Sequence, residues 1–202
     1  MISSAISRLN DRRDAAADLG EDAGFTLIEL MVVLLILAIL LAIAIPTFLG
    51  VTGGANDRAA QSNLNTALTT VKTQATQLGQ TYTGVNTTLL NTAEPAISWS
   101  TGTTTINTQG PVSFYVDTSV PGAGIVLTSY SKSQTTCWYA VDNLTPITSN
   151  NGPYAGVAAG SATSAPTAAG TYYSKVTGVS SCNAAAAQTA FAAWQSSFSA
   201  VA

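Results

Sequence analysis

Gly24-Phe25-Thr26-Leu27-Ile28-Glu29-Leu30, followed by an apolar run that continues to Ile45, is the stretch that decides the fold. Leu30 to Ile45 is sixteen consecutive apolar residues, and extending the run to Phe25 and Leu49 admits only Thr26, Glu29, Pro46 and Thr47. About 25 helical residues span roughly 37 Å, enough for a bilayer core of about 30 Å. Glu29 is the anomaly. A carboxylate inside a membrane span costs about 3 kcal/mol, so it marks a functional position that a plain anchor would not carry. Arg8, Arg12 and Arg13 precede the run. Their charge predicts a cytoplasmic N-terminus and an exported C-terminal body.

A secretory signal peptide would have a short basic start, a shorter apolar core and a small-residue cleavage site behind it. Here the start is long and mixed in charge, and Thr52-Gly53-Gly54-Ala55 offers a poor site. A lipoprotein signal needs a nearby cysteine, and the first is Cys137. A plain single-pass anchor explains the length of the run but leaves Glu29 and the Gly-Phe junction without a purpose.

The segment GFTLIELMVVLLILAILLAIAIP, residues 24–46, resembles the N-terminus of type IV pilins and the related pseudopilins. The resemblance implies a cytoplasmic leader, residues 1–24, cut between Gly24 and Phe25 by a membrane prepilin peptidase that methylates the new N-terminal Phe25. It implies that Glu29 docks each subunit into a homopolymeric helical filament, built by an inner-membrane assembly machinery. It also implies two locations: single-pass in the plasma membrane before assembly, and extracellular after it. Glu21 and Asp22 stand where the family often has a basic residue before the cleavage glycine. The likeness covers about 30 of the 202 residues; beyond it only the general layout matches.

Charged residues make up 8% of the chain, against about a quarter in ordinary domains. Three of the seven basic residues and five of the ten acids (Asp11, Asp14, Asp18, Glu21, Asp22) fall before Gly24. The remainder is nearly neutral and gives no electrostatic footprint for nucleic acid. Solubility must come from Ser, Thr, Asn, Gln and Gly, while Trp, Tyr, Phe, Val and Ile spread through the same region argue against disorder. Cys137 and Cys182 both follow the apolar run. An even pair in an exported region reads as one disulfide, closing a loop of about 46 residues worth about 4 kcal/mol. Two unpaired buried thiols are the alternative.

Four segments follow: a leader, 1–24; a membrane or filament-core helix, 25–54; an amphipathic half of the same helix, 55–79; and a β-rich head with a C-terminal helix, 80–202. Pro46 predicts a kink, and Gly50, Gly53 and Gly54 a weak stretch where the helix could melt. The second half starts near Asn56 as cap and Asp57 in the first turn, and stops at Gly79. Its stripe is Ala60, Leu64, Ala67, Leu68, Val71, Ala75 and Leu78, which should pack on the head.

Short β-type segments come next: Ala96–Ser100, Thr103–Asn107, Val112–Asp117, Ile125–Tyr130, Thr136–Val141 and Tyr172–Thr177. They suggest a small antiparallel sheet on the helix stripe, an α+β pilin-like fold. Ser149–Gly170 reads as a long surface loop. Asn183–Phe198, with Phe191, Trp194 and Phe198 at spacings of three and four, reads as a short amphipathic helix.

The chain has no histidine, which removes the commonest general base and metal ligand. Asp57, Glu94, Asp117 and Asp142 are the acids beyond the apolar run, and no spacing among them suggests a glycosidase pair or a calcium cluster. We expect no enzyme, no cofactor and no metal. Asn86-Thr87-Thr88 and Asn143-Leu144-Thr145 match the glycosylation acceptor pattern, as short chance matches often do. Of Trp138 and Tyr139, strand neighbours on opposite faces, one is expected in the core rather than on an adhesive surface. Trp194 with Phe191 is expected to pack helix to sheet. The sequence therefore reads as a type IV pilus subunit. A pseudopilin of type II secretion or DNA uptake is the alternative within the family, and a non-polymerising surface protein the alternative outside it.

Overall fold

The computed structural model describes residues 25–117, 122–132, 134–148, 152–154, 165–185 and 193–201. The expected leader, with Gly24, lies outside the described residues, as do Phe191 and most of the 149–164 tract. The chain divides between Phe48 and Leu49 into two compact units. One helix, α1 (Leu27–Gln77), contributes to both.

In the first unit the side chains from Phe25 to Phe48 are all exposed. Leucines, isoleucines and valines there keep roughly half or more of their surface open. Such a surface is stable only against lipid or another apolar surface. Among the described residues, α1 is the one helix long and apolar enough to cross a membrane.

The second unit begins with the remainder of α1. Ala60, Leu64, Ala67, Leu68, Val71 and Ala75 are buried, as the stripe predicts. Leu78 lies past the helix end and is exposed. The stop is a Schellman turn: Gln80 N–H donates to Ala75 O at 2.9 Å and Gly79 N–H to Thr76 O at 3.3 Å. Gly79 takes the positive φ of 84° that this closure requires. Asn56 and Asp57 cap nothing, since α1 is continuous through them. A second helix, α2 (Thr87–Ala93), was not expected; its cap is Asn86, whose Oδ1 accepts from Leu89 N–H at 3.0 Å.

Among the described residues five strands follow, in spatial order β1 (Trp99–Thr101), β2 (Val112–Val116), β3 (Gly124–Ser131), β4 (Thr136–Asn143) and β5 (Gly170–Val176). The sheet is mixed, which corrects the expectation of an antiparallel one. β1 runs parallel to β2, with Trp99 beside Val112, while the other neighbours are antiparallel. The expected strand at Thr103–Asn107 is part of the β1–β2 connection. There Ile106 forms an isolated bridge with Cys182.

Both faces of the sheet are covered. Ile125, Leu127, Trp138 and Ala140 join the α1 stripe in one core. Val126, Tyr130, Tyr139 and Val141 face the other way, onto Ile147, Tyr154, Ala165 and Cys182. β3 and β4 are consequently buried along their whole length. Trp138 and Tyr139 are both inside, so the alternation that puts them on opposite faces exposes neither. Described parts of the supposed surface loop form this second layer. Gly124 makes its close approach possible: a Cβ there would come within 2.5 Å of Asn143 Oδ1 and 2.8 Å of the Tyr154 hydroxyl.

The C-terminal prediction is also corrected. Described residues 183–185 and 193–197 are not helical, and the last helix, α3, is Phe198–Val201. The bulky side chains Trp194 and Phe198 go to different cores rather than sharing one helical stripe.

Candidate processing and assembly site

The site is built from the first turn of α1. Thr26 is its N-cap and Glu29 stands three residues on, so the two close a reciprocal capping box. Thr26 Oγ1 accepts from Glu29 N–H at 3.3 Å, and the Glu29 carboxylate accepts from Thr26 N–H at 2.8 Å. The Thr26 hydroxyl also donates to that carboxylate at 2.7 Å. Glu29 therefore enters the apolar helix with its charge turned back on the helix start, where the helix dipole favours an anion. Thr26 was not singled out from sequence, although Thr-x-x-Glu before an apolar run is the signature of such a box. Phe25, directly before it, is 81% exposed.

Further along, the structure keeps Pro46, Gly50, Gly53 and Gly54 helical within α1. Pro46 cannot donate a backbone hydrogen bond. Next to it, the Thr47 hydroxyl donates to Ile43 O at 3.1 Å and Ala44 O at 2.9 Å, adding side-chain support one turn back.

In the second unit, Cys137 and Cys182 form a disulfide with Cα atoms 5.7 Å apart. It joins the start of β4 to the segment after β5 that bridges Ile106. Neither glycosylation match is a free asparagine. Asn86 is exposed but is the α2 cap. Asn143 is buried, donates to Pro166 O and Ala168 O at 2.7 and 3.0 Å, and accepts from the Tyr154 hydroxyl at 2.9 Å.

A polar knot missed from sequence ties α1 to the sheet. The buried Asp142 carboxylate is 2.8 Å from Lys72 Nζ and accepts from the hydroxyls of Tyr82 and Thr171. Lys72 Nζ also donates to Thr171 Oγ1 at 2.7 Å. Burial, and then the hydrogen bond to Asp142 and its charge, push the Tyr82 hydroxyl pKa far up. The signal in sequence was only four isolated residues spread over about a hundred positions.

Compared with known proteins, residues 21–45 match the prokaryotic N-terminal methylation motif. The chain carries the type IV pilin and pseudopilin leader signature. The signature spans the Gly24–Phe25 junction, the Thr26–Glu29 box and the apolar run. It supports a type IV pilin-like or pseudopilin precursor, and the α+β architecture behind it is pilin-like. No curated protein and no solved structure matches the chain significantly.

Proposed function

We propose that this protein is the structural subunit of a type IV pilus, cut after Gly24, methylated on Phe25 and stacked into an extracellular filament. One observation carries the reading: an apolar helix start with every side chain exposed, opened by the Thr26–Glu29 capping box and lying within the methylation motif. In the membrane, lipid covers that surface. In a filament, the same surface of other copies replaces lipid at little cost, because both are apolar.

Glu29 supplies the register. Cleavage turns Phe25 N into an amine, cationic near neutral pH, and the carboxylate of a neighbouring copy is its partner. Attraction between such charges is far stronger in an apolar surround than in water, while desolvation offsets much of it, so the pair fixes position more than it adds stability. The role is structural rather than catalytic. The partners are the prepilin peptidase, other copies of the chain, and the inner-membrane machinery.

N-terminal sequencing and mass measurement of the protein from shed filaments test the reading. A chain beginning at methylated Phe25 is expected, and Gly24→Leu should leave full-length precursor in the membrane. A mature chain that still carries residues 1–24 would overturn it. The same signature serves pseudopilins. Surface filaments lost in a deletion strain mark a pilus, whereas lost secretion or DNA uptake without visible filaments marks a pseudopilus.

A further inference from the structure

Among the described residues β5 is an edge strand of seven residues, hydrogen-bonded within the sheet only to β4. Its sequence, Gly-Thr-Tyr-Tyr-Ser-Lys-Val, favours strand, and its outward backbone groups are a template for another chain. Proteins usually blunt such edges with charge or by shortening the strand. β1, the opposite edge, is only three residues long. β5 is not short and carries only one charge. That charge, Lys175, sits with Nζ 5.4 Å over the Trp138 ring, and the chain as a whole is only 8% charged.

What meets the edge is the chain's own C-terminal segment. Tyr173 pairs with Ala140 in β4, yet its backbone N–H donates to Gln195 O at 2.8 Å and its carbonyl accepts from Gln195 N–H at 2.9 Å. Those groups therefore point away from the sheet, and Thr171 and Lys175 share their direction by the two-residue period. Phe198 then folds over the strand, its ring 4.2 Å from Tyr173 and 6.0 Å edge-on to Trp138, and Val201 is buried in the α1-side core.

We infer that residues 193–201 form a strap that occupies the β5 edge and prevents the heads of two copies from pairing β5 to β5. The strap competes well because it is tethered: an intramolecular partner acts at an effective concentration in the mM range. Membrane storage crowds copies together, so an open edge would face its own duplicate continually. The inference concerns the head alone and stands apart from the filament reading.

The test uses the full chain in detergent, with Gln195→Pro, Gln195→Ala and a truncation after Ala192. Proline removes the Gln195 N–H that Tyr173 accepts from; alanine keeps it. Light scattering gives the protein mass, hydrogen exchange reads the Thr171 and Lys175 amides, and near-ultraviolet circular dichroism reports the head's packing. Gln195→Pro and the truncation should form species of about twice the wild-type mass with the Thr171 and Lys175 amides more protected, while Gln195→Ala matches wild type. Should the truncation lose its packing, Gln195→Pro decides. A packed Gln195→Pro chain at wild-type mass overturns the inference. So does one that loses its packing, since the segment would then be core and not a guard.

Discussion

Thr26 and Glu29 show how much one turn can encode. The carboxylate caps two groups of its own helix start, both through Oε2. Replacing Thr26 with alanine removes the cap, which costs about 1 kcal/mol of helix-start stability. The helix should still form, since its length and apolar surround hold it. Glu29→Ala should be processed normally but assemble poorly. Electron microscopy of cells carrying either variant separates the two roles: near-normal piliation for Thr26→Ala and sparse filaments for Glu29→Ala. Equal piliation in both would contradict the docking role. Asp142 is the other decisive residue, and it answers to stability. Asp142→Ala strands the buried Tyr82 hydroxyl and removes the partner of Lys72, a loss of about 3 kcal/mol. Lys72→Met should cost less, because the ammonium is half open to water and Tyr82 keeps its acceptor. Denaturant midpoints read by tryptophan fluorescence check the order, and a larger loss for Lys72→Met would refute it.

At the scale of the element, α1 is one helix in the hydrogen-bond sense but is held very unevenly. Pro46 to Gly54 combines a missing donor with three poor helix formers. Contacts with the head grip the helix from Gly53 onward. Gln134 lies against Gly53, Gln109 Nε2 donates to Asn56 O at 2.9 Å, Trp138 Nε1 to Asp57 Oδ1 at 3.4 Å, and Asn63 Nδ2 to Gly110 O at 3.2 Å. If assembly stretches the subunit, the helix should unwind between Pro46 and Gly53 and remain helical from Asn56. Each unwound residue lengthens the chain by about 1.8 Å, the difference between strand and helix rise. A filament map with continuous helix through Gly50 would show a static kink instead, and unwinding past Ala60 would show that the grip does not hold. The weak stretch was legible from its own residues. Its downstream limit was not, because the gripping residues lie about 50 to 80 positions away.

For the whole molecule, covering both faces of the sheet buries tyrosines together with their hydroxyls, and this sets a pH limit. Burial pushes Tyr139 up to about 12, although hydrogen bonds with Thr128 and the Asn183 backbone pull the other way. Burial, and then the charge of Asp117, raise Tyr154 further, and Tyr82 is raised as well. A folded pKa above the unfolded value of about 10 means stability is complete below pH 10 and falls as pH rises through it. Each buried tyrosine removes about 1.4 kcal/mol per pH unit in that range. Melting temperature should be flat from neutral pH to about 9 and drop steeply by about 11; an unchanged melt there would contradict the burial. The sequence by itself determined the long helix, its exposed apolar start and the buried α1 stripe. All of these are local patterns, written in residues a few positions apart. Tertiary structure alone decided the parallel β1, the second layer around Tyr154, the Asp142 knot and the strap on β5. Each joins segments distant in the chain, where the choice rests on which surfaces meet and which buried polar groups find partners, and no periodicity in the sequence records that.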